Sequence, residues 1–172
     1  MMTEINIHIV GIGNLGISFL EGFKSLKDNT CLYLYEKNIE TIKNLESSYS
    51  VTTDIDQIDS GVLLLCIKPN NLNEFINVNK SKISDQVLIA SPLAGVSINH
   101  FENHFKNKVL RLMPNLAIRN NSGFIPYTKN YDEDYLHFIE KLNHLGQTNE
   151  DPEDLFDIIT AIFGSGPAWY FE

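Results

Sequence analysis

The 172-residue sequence is poor in basic residues. It has 13 lysines and arginines against 22 aspartates and glutamates, which gives a formal net charge of −9. Surfaces that bind phosphate backbones or anionic lipid need an excess of positive charge. The charge balance therefore argues against nucleic acid or an anionic membrane as a partner, although it is compatible with a local basic pocket.

Cysteine and long apolar runs are also scarce. Cys31 and Cys66 are the only cysteines, and each lies in an apolar, strand-like run, which predicts two buried reduced thiols rather than a disulfide or a metal site. No stretch approaches the roughly 20 apolar residues of a membrane span. The first residues also lack a basic region followed by an apolar signal core. With 43% hydrophobic and 20% charged residues, we expect a globular, cytoplasmic protein.

A glycine-rich turn near the N-terminus is the most informative pattern that is present. The β-branched run at 7–10 predicts a buried strand, and the hexapeptide GIGNLG at 11–16 follows it and begins a predicted helix at 14–27. Strand, glycine turn and helix in this order are typical of a dinucleotide-binding turn. Glu36 follows the next apolar run, 20 positions after Gly16, where an acidic residue can bind a ribose hydroxyl. These features together favour nucleotide binding over a purely structural turn.

Strand-like and helix-like segments alternate from residue 5 to residue 113, which predicts a Rossmann-like, doubly wound, mainly parallel sheet. Gly22 lies inside the first helix, where glycine is unfavourable, and therefore predicts a close backbone contact. Residues 54–58 are predicted to form one or two helical turns. The apolar run at 61–67 predicts a central strand that ends at Lys68-Pro69, and ligands bind beyond such strand ends.

The pattern changes after residue 113. A strand is predicted at 123–127, a helix at 133–144, a short strand at 147–149, and a helix from Pro152 through Ile162. This last helix is apolar over most of its surface and is followed by the apolar run 168–171. An exposed apolar surface of this size predicts contact with another subunit, and hence a homo-oligomer, or cover by a second domain.

Few residues have the grouping expected of catalytic or metal-binding sites. The five histidines lack the spacing of metal ligands, so we expect no metal. The sequence shows no catalytic triad or paired carboxylates, and it identifies no catalytic side chain. We expect Arg111 to pair within the fold. Asn115 and Ser165 are candidates for contact with a substrate, against the simpler interpretation that each only supports a turn.

Five separated motifs carry a resemblance to a known family. They are the turn at 11–16 followed by Gly22, the segments IKP at 67–69 and AG at 94–95, RLMPN at 111–115, and ITAIFGSGPAW at 159–169. In this order and spacing the sequence resembles pyrroline-5-carboxylate reductase, the last enzyme of proline synthesis. The resemblance implies reduction of a small cyclic imino acid, L-1-pyrroline-5-carboxylate, to L-proline by hydride transfer from NAD(P)H to a C=N bond.

The resemblance also implies roles for individual residues. Motif and resemblance together assign cofactor binding to Gly11, Ile12, Gly13, Asn14, Leu15, Gly16, Glu36, Lys37, Cys66, Ile67, Lys68, Pro69, Leu93, Ala94 and Gly95. Glu153 matches a glutamate near the family's site, and it joins Asn115 and Ser165 as a candidate for the substrate side.

Two departures from the family pattern bear on these expectations. Where the family commonly has Asn-Arg-Ser, this sequence has Glu36-Lys37-Asn38; Lys37 suits the 2′-phosphate of NADP, whereas Glu36 suits the 2′-hydroxyl of NAD. We favour NADP slightly. The family also continues into an all-helical domain, so residues 1–150 are expected to form the dinucleotide-binding domain and residues 151–172 only the start of the dimerisation and substrate domain, with the activity of so short a chain open.

Two other functions remain as alternatives. One is a dinucleotide-binding module without catalysis, in a regulatory or degenerate role. The other is an oxidoreductase with a similar N-terminal domain, such as a β-hydroxyacid dehydrogenase.

Overall fold

An eight-stranded sheet forms the centre of the protein in the computed structural model, which describes residues 5–26, 30–45, 49–132 and 136–164. The strands are β1 (Ile5–Val10), β2 (Thr30–Tyr35), β3 (Val51–Thr52), β4 (Val62–Leu65), β5 (Leu88–Ser91), β6 (Val109–Leu112), β7 (Gly123–Lys129) and β8 (Gly146–Glu150). The α-helices are α1 (Asn14–Lys24), α2 (Ile39–Asn44), α3 (Leu72–Asn79), α4 (Ile98–Glu102), α5 (Leu136–Leu145) and α6 (Phe156–Ile159).

The strand order is β3-β2-β1-β4-β5-β6-β7-β8, and the six strands β1 to β6 run parallel to one another. Strand β7 is antiparallel to β6, and β8 is parallel to β7. The chain moves outward from β1 in one direction to β2 and β3, then returns to place β4 on the other side of β1. This reversal creates the crevice in which open α/β sheets bind ligands. The predicted doubly wound, mainly parallel sheet is confirmed.

Helices cover both faces of the sheet. Ile7 and Ile9 belong to the core on the side of α1 and α5, whereas Val10 packs with residues of α3 and α4 on the other side. The predicted close contact at Gly22 is also confirmed, because a Cβ there would lie 2.6 Å from the carbonyl oxygen of Ile118. Helix α1 can therefore pack against the 3-10 turn Leu116–Asn120 only because position 22 is glycine.

Two parts of the sequence-based prediction differ from the structure. The predicted helical turns at 54–58 are wrong: this segment is irregular, and Ile58 donates its N–H to the carbonyl of Lys82 (2.8 Å) and accepts the N–H of Ser84 (2.9 Å) in an isolated β-bridge. Ile55 and Ile58 are both buried, so their spacing of three fits a helix although the segment forms none. Helix α3 was not predicted, although Leu72, Phe75 and Ile76 bury one face of it.

Helical structure follows β8, as predicted, but in three short pieces. The 3-10 turn Glu153–Leu155, helix α6 and the π-helical turn Thr160–Gly164 succeed one another. The predicted apolar surface is present, because four large apolar side chains are exposed here: Leu155, Ile158, Ile162 and Phe163. Ser165 and the apolar run 168–171 lie outside the described residues.

Two further expectations bear on the class of protein. Within the described ranges, no helix combines the length and the apolar character needed to cross a membrane. Cys31 and Cys66 are not joined in a disulfide, but both are only half-buried rather than fully buried as expected. Burial of its sulfur nevertheless raises the pKa of the Cys66 thiol.

Candidate functional site

The glycine turn joins β1 to α1 and leaves no room for a side chain at two positions. Gly11 has φ +91°, and a Cβ there would lie 2.7 Å from the carbonyl oxygen of Cys66 on the adjoining strand end. A Cβ on Gly16 would overlap the carbonyl oxygen of Gly11. A side chain has no room at either position, and at Gly11 the positive φ would strain it as well, so the turn itself explains both glycines.

Gly13 is different, because neither its backbone nor its surroundings require glycine. Its φ of −78° and ψ of −166° are open to any residue, and no atom lies within 4 Å of where its Cβ would be. Gly13 precedes α1, whose first N–H groups have no intrahelical acceptor, and no side chain caps this end of the helix. The open space therefore faces a helix N-terminus that suits an anionic group such as a pyrophosphate.

The residues around Gly13 present their backbone rather than their side chains. Ile12 is fully buried and Leu15 is half-buried, whereas Asn14 is exposed at the first position of α1. A ligand above this turn would therefore meet peptide N–H groups, together with the Asn14 side chain.

The Glu36 carboxylate joins the end of β2 to the glycine turn. Its Oε2 accepts a hydrogen bond from the Ile12 N–H (2.8 Å), and its Oε1 accepts one from the Asn38 N–H (2.8 Å). Glu36 is half-buried. Its two hydrogen bonds hold the carboxylate in a defined orientation beside Gly11. Its remaining acceptor capacity suits a hydroxyl donor better than a phosphate.

An open cleft lies next to Glu36, between the ends of β1, β2 and β4 and helix α3. Its lining residues are Val10, Gly11, Tyr35, Glu36, Lys37, Thr53, Asp54, Ile55, Ile67, Asn71, Glu74, Phe75, Val78 and Asn79. The Lys37 Nζ lies 2.9 Å from Glu74 Oε1 across this cleft. The Lys37 ammonium lowers the pKa of the Glu74 carboxyl through this hydrogen bond and its charge.

The ends of β4 and β5 lie along the same edge of the sheet. Cys66 donates its N–H to the carbonyl of Val10 (2.8 Å), which holds the chain beside the glycine turn. Lys68 follows with an exposed side chain, and Pro69 begins a 3-10 turn. After β5, Leu93 is buried while Ala94 and Gly95 are exposed, with Gly95 at φ +71°. The predicted cofactor residues thus come from four neighbouring strand ends and lie along one edge.

The predicted substrate-side residues have partners within the fold. The Glu153 Oε1 lies 3.0 Å from Arg111 Nη1, as expected for an Arg111 that pairs internally, and also accepts the Ile98 N–H at 2.7 Å. Asn115 exchanges two hydrogen bonds with the backbone of Phe124, each 3.2 Å long. Ser165 lies outside the described residues. Asn115 and Glu153 therefore both fasten neighbouring segments together.

One wall of the cleft was not predicted from the sequence. Glu74, Phe75, Val78 and Asn79 line it from α3, the helix that was not predicted. The spacing of Leu72, Phe75 and Ile76 was the pattern that could have revealed this helix. Within the described ranges, no group of three or more histidine, cysteine, aspartate or glutamate side chains is placed to hold a metal ion.

The chain is similar to known proteins in both sequence and structure. No protein-family model matches the chain. Pyrroline-5-carboxylate reductases from Aquifex aeolicus and Methanosarcina acetivorans are 30% and 26% identical to it, each over 99% of this chain and over 66% and 67% of the relative. A crystal structure of Plasmodium falciparum pyrroline carboxylate reductase with NADP bound has a TM-score of 0.79 at 21% identity, covering 98% of this chain and 65% of that one.

These comparisons also fix the extent of the similarity. The chain aligns over nearly its whole length but spans only about two thirds of the curated relatives, with 62% for pyrroline-5-carboxylate reductase 1 of Bacillus subtilis. The structural likeness agrees with the Rossmann-like architecture described above.

Proposed function

We propose that this chain, which belongs to the pyrroline-5-carboxylate reductase family, provides the cofactor site of an enzyme that reduces L-1-pyrroline-5-carboxylate to L-proline with NAD(P)H. The observation that carries the proposal is the open face of Gly13, above the uncapped N-terminus of α1. An anion placed there meets peptide N–H groups and the positive end of the helix dipole.

The geometry supports a dinucleotide lying along the edge of the sheet. Its pyrophosphate would lie over the turn at 11–16, and its adenosine ribose beside Glu36 and Lys37, where the cleft opens. The segments 66–69 and 93–95 would border its ribose and nicotinamide end. NADP is bound in the P. falciparum structure, and we extend NADP to this chain, with NAD as the alternative.

The reduced nicotinamide, when bound, supplies the hydride that goes to the carbon of the C=N bond, while the nitrogen carries a proton. The part of the protein described here orients the cofactor through backbone N–H groups and strand ends. An imine that arrives protonated requires no acidic side chain from the protein, in keeping with a site in which we identify no catalytic residue. Asn115, Glu153 and Ser165 stay as proposed residues of the substrate side.

We further propose that residues 1–150 form the dinucleotide-binding domain and that residues 151–172 begin a helical domain for dimerisation and substrate binding. The exposed apolar side chains Leu155, Ile158, Ile162 and Phe163 support a homo-oligomer formed through this segment, because such a surface gains free energy when it is buried. A cytoplasmic location is consistent with cysteines that form no disulfide.

Calorimetric titration with NADPH and NADH tests the binding step, and cofactor oxidation in the presence of pyrroline-5-carboxylate tests the reaction. We expect binding, and turnover if this chain holds enough of the substrate pocket. Binding without turnover would favour a non-catalytic dinucleotide-binding module. Oxidation of a β-hydroxyacid with NAD(P)⁺, without imine reduction, would favour a β-hydroxyacid-dehydrogenase-like enzyme. Failure to bind either nucleotide would contradict all three functions.

A further inference from the structure

The cleft beside the glycine turn has an uneven distribution of charge. Among the lining residues that the structure describes, Lys37 is the only basic one, whereas Glu36, Asp54 and Glu74 are acidic. Lys37 is therefore the one lining side chain that can neutralise a 2′-phosphate. Its ammonium is paired with Glu74, at 2.9 Å.

We propose that Glu74 on helix α3 sets the preference between NADPH and NADH by holding Lys37 in an ion pair across the cleft. The proposal rests on the cofactor site of the proposed function and adds a residue from a helix that carries none of the family motifs. Glu74 acts as a specificity-determining residue because it competes with a 2′-phosphate for the same ammonium group.

The carboxylates of Glu36 and Glu74, which both line the cleft, are held differently. Both oxygens of Glu36 accept backbone N–H groups, so its charge stays at the end of β2 and offers an acceptor to a 2′-hydroxyl. Lys37 and Glu74 are each 67% exposed, and an ion pair with this exposure is held weakly. Lys37 can therefore exchange Glu74 for another anion at low cost.

The competition affects only one of the two cofactors. A 2′-phosphate must displace the Glu74 carboxylate from Lys37 and then lie beside two remaining negative charges. A 2′-hydroxyl carries no charge, so NADH binds without releasing Lys37. Removing the charge of Glu74 therefore frees Lys37 for the phosphate and removes one source of repulsion, while it changes little for NADH.

The test is the affinity of the whole chain for NADPH and for NADH, measured by calorimetry for the wild type and for Glu74→Gln. We expect Glu74→Gln to bind NADPH roughly two- to fivefold more tightly, as for a solvent-exposed ion pair, and to bind NADH with unchanged affinity. The NADPH gain should shrink at high salt, because salt screens exposed charges.

Two variants complete the experiment. Lys37→Gln combined with Glu74→Gln should abolish the gain for NADPH, since the phosphate then has no ammonium to bind. Asp85 is exposed before the amino end of β5, whereas the cleft lies at the carboxyl ends of the strands. Asp85→Asn therefore removes one negative charge away from the cleft and should leave the ratio of the two affinities unchanged. Circular dichroism of each variant checks that the fold is retained.

Equal effects of Glu74→Gln on both cofactors, or no effect on NADPH, would overturn the role of Glu74 while leaving the cofactor site itself in place. A wild-type chain that binds neither nucleotide would instead overturn the proposed function, and this proposal with it. Retention of the NADPH gain in the double variant would show that Glu74 does not act through Lys37.

Discussion

Glu153 Oε1 lies 3.0 Å from Nη1 of Arg111, a residue of β6 that is 5% exposed. The same oxygen accepts the Ile98 N–H, and the Arg111 guanidinium lies 4.8 Å from the ring centre of Phe156 in α6. One carboxylate therefore connects the segment after β8 to strand β6 and to the start of α4. This contact holds the 3-10 turn Glu153–Leu155 against the sheet.

We expect Glu153→Ala to destabilise the fold by about 2–3 kcal/mol, because it leaves the buried Arg111 without its carboxylate partner. Partial exposure of Glu153 keeps the loss below that of a fully buried pair. Urea denaturation followed by circular dichroism measures the change. Asp154→Asn alters the charge of the neighbouring exposed residue and should change the free energy of unfolding by less than about 0.5 kcal/mol. Equal losses in the two variants would contradict the contribution of the Arg111 pair.

His8 should make the stability depend on acid pH. It is 7% exposed, its Nδ1 lies 3.0 Å from the Tyr35 hydroxyl, and its ring stacks on Tyr33. Burial lowers the pKa of His8 from 6.5 to about 4, so between these values the unfolded chain binds the proton and the folded chain does not. The free energy of unfolding therefore falls as pH drops from about 6.5 to about 4, by up to about 3 kcal/mol.

Urea denaturation of wild type and His8→Gln at several pH values between 4 and 7 isolates this effect from the titration of carboxyl groups. The stability difference between the two proteins should shrink as pH falls. His137→Gln, at a side chain that is 70% exposed, is the control and should follow the wild-type curve. A difference between wild type and His8→Gln that stays constant with pH would be inconsistent with a buried neutral histidine.

Gly13→Ala should weaken cofactor binding with little effect on stability. Its backbone conformation is open to alanine and its Cβ meets no atom of the protein, so we expect a loss of less than about 1 kcal/mol in unfolding free energy. The methyl group would occupy the space proposed for the pyrophosphate and lower the affinity for NADPH and NADH by about tenfold or more. Unchanged affinities in calorimetry would place the pyrophosphate elsewhere.

Gly22→Ala tests the packing of α1. Alanine in an exposed helix interior would stabilise by about 1 kcal/mol relative to glycine, but here its Cβ would lie 2.6 Å from a backbone oxygen of Ile118 and 2.7 Å from Leu145 Cδ2. Because the backbone oxygen cannot move without the 3-10 turn, we expect a net loss of about 1–3 kcal/mol. A rise in the thermal midpoint would show that the two segments are free to separate.

The sequence predicted most of the sheet because its strands are short apolar runs, several of which end in glycine or proline. Those glycines and prolines located the turn at 11–16 and the strand end at Lys68-Pro69, and the alternation of strands and helices indicated the doubly wound sheet. Helix α3 was missed because its buried face has only a few apolar positions between polar ones. Residues 54–58 were misassigned because a spacing of three, as between Ile55 and Ile58, fits more than one backbone.

Contacts between distant side chains were beyond the reach of the sequence. Glu36 was expected to meet a ribose, but its hydrogen bond to the Ile12 N–H across 24 positions depends on how the two strand ends lie in space. The pairing of Lys37 with Glu74, and the second contact of Glu153 with Ile98, are of the same kind. Local periodicity in the sequence does not encode such pairs, so they can be identified only from the folded structure.

The two outer strands of the sheet disfavour aggregation through the edges of the sheet. A strand at a free edge offers unpaired N–H and C=O groups to other chains, and a long apolar edge promotes aggregation. Strand β3 on one side has only two residues, Val51–Thr52, and β8 on the other has the polar sequence GQTNE, with Glu150 exposed at its end. Both edges are thus poor templates for strand addition, which directs self-association away from the sheet.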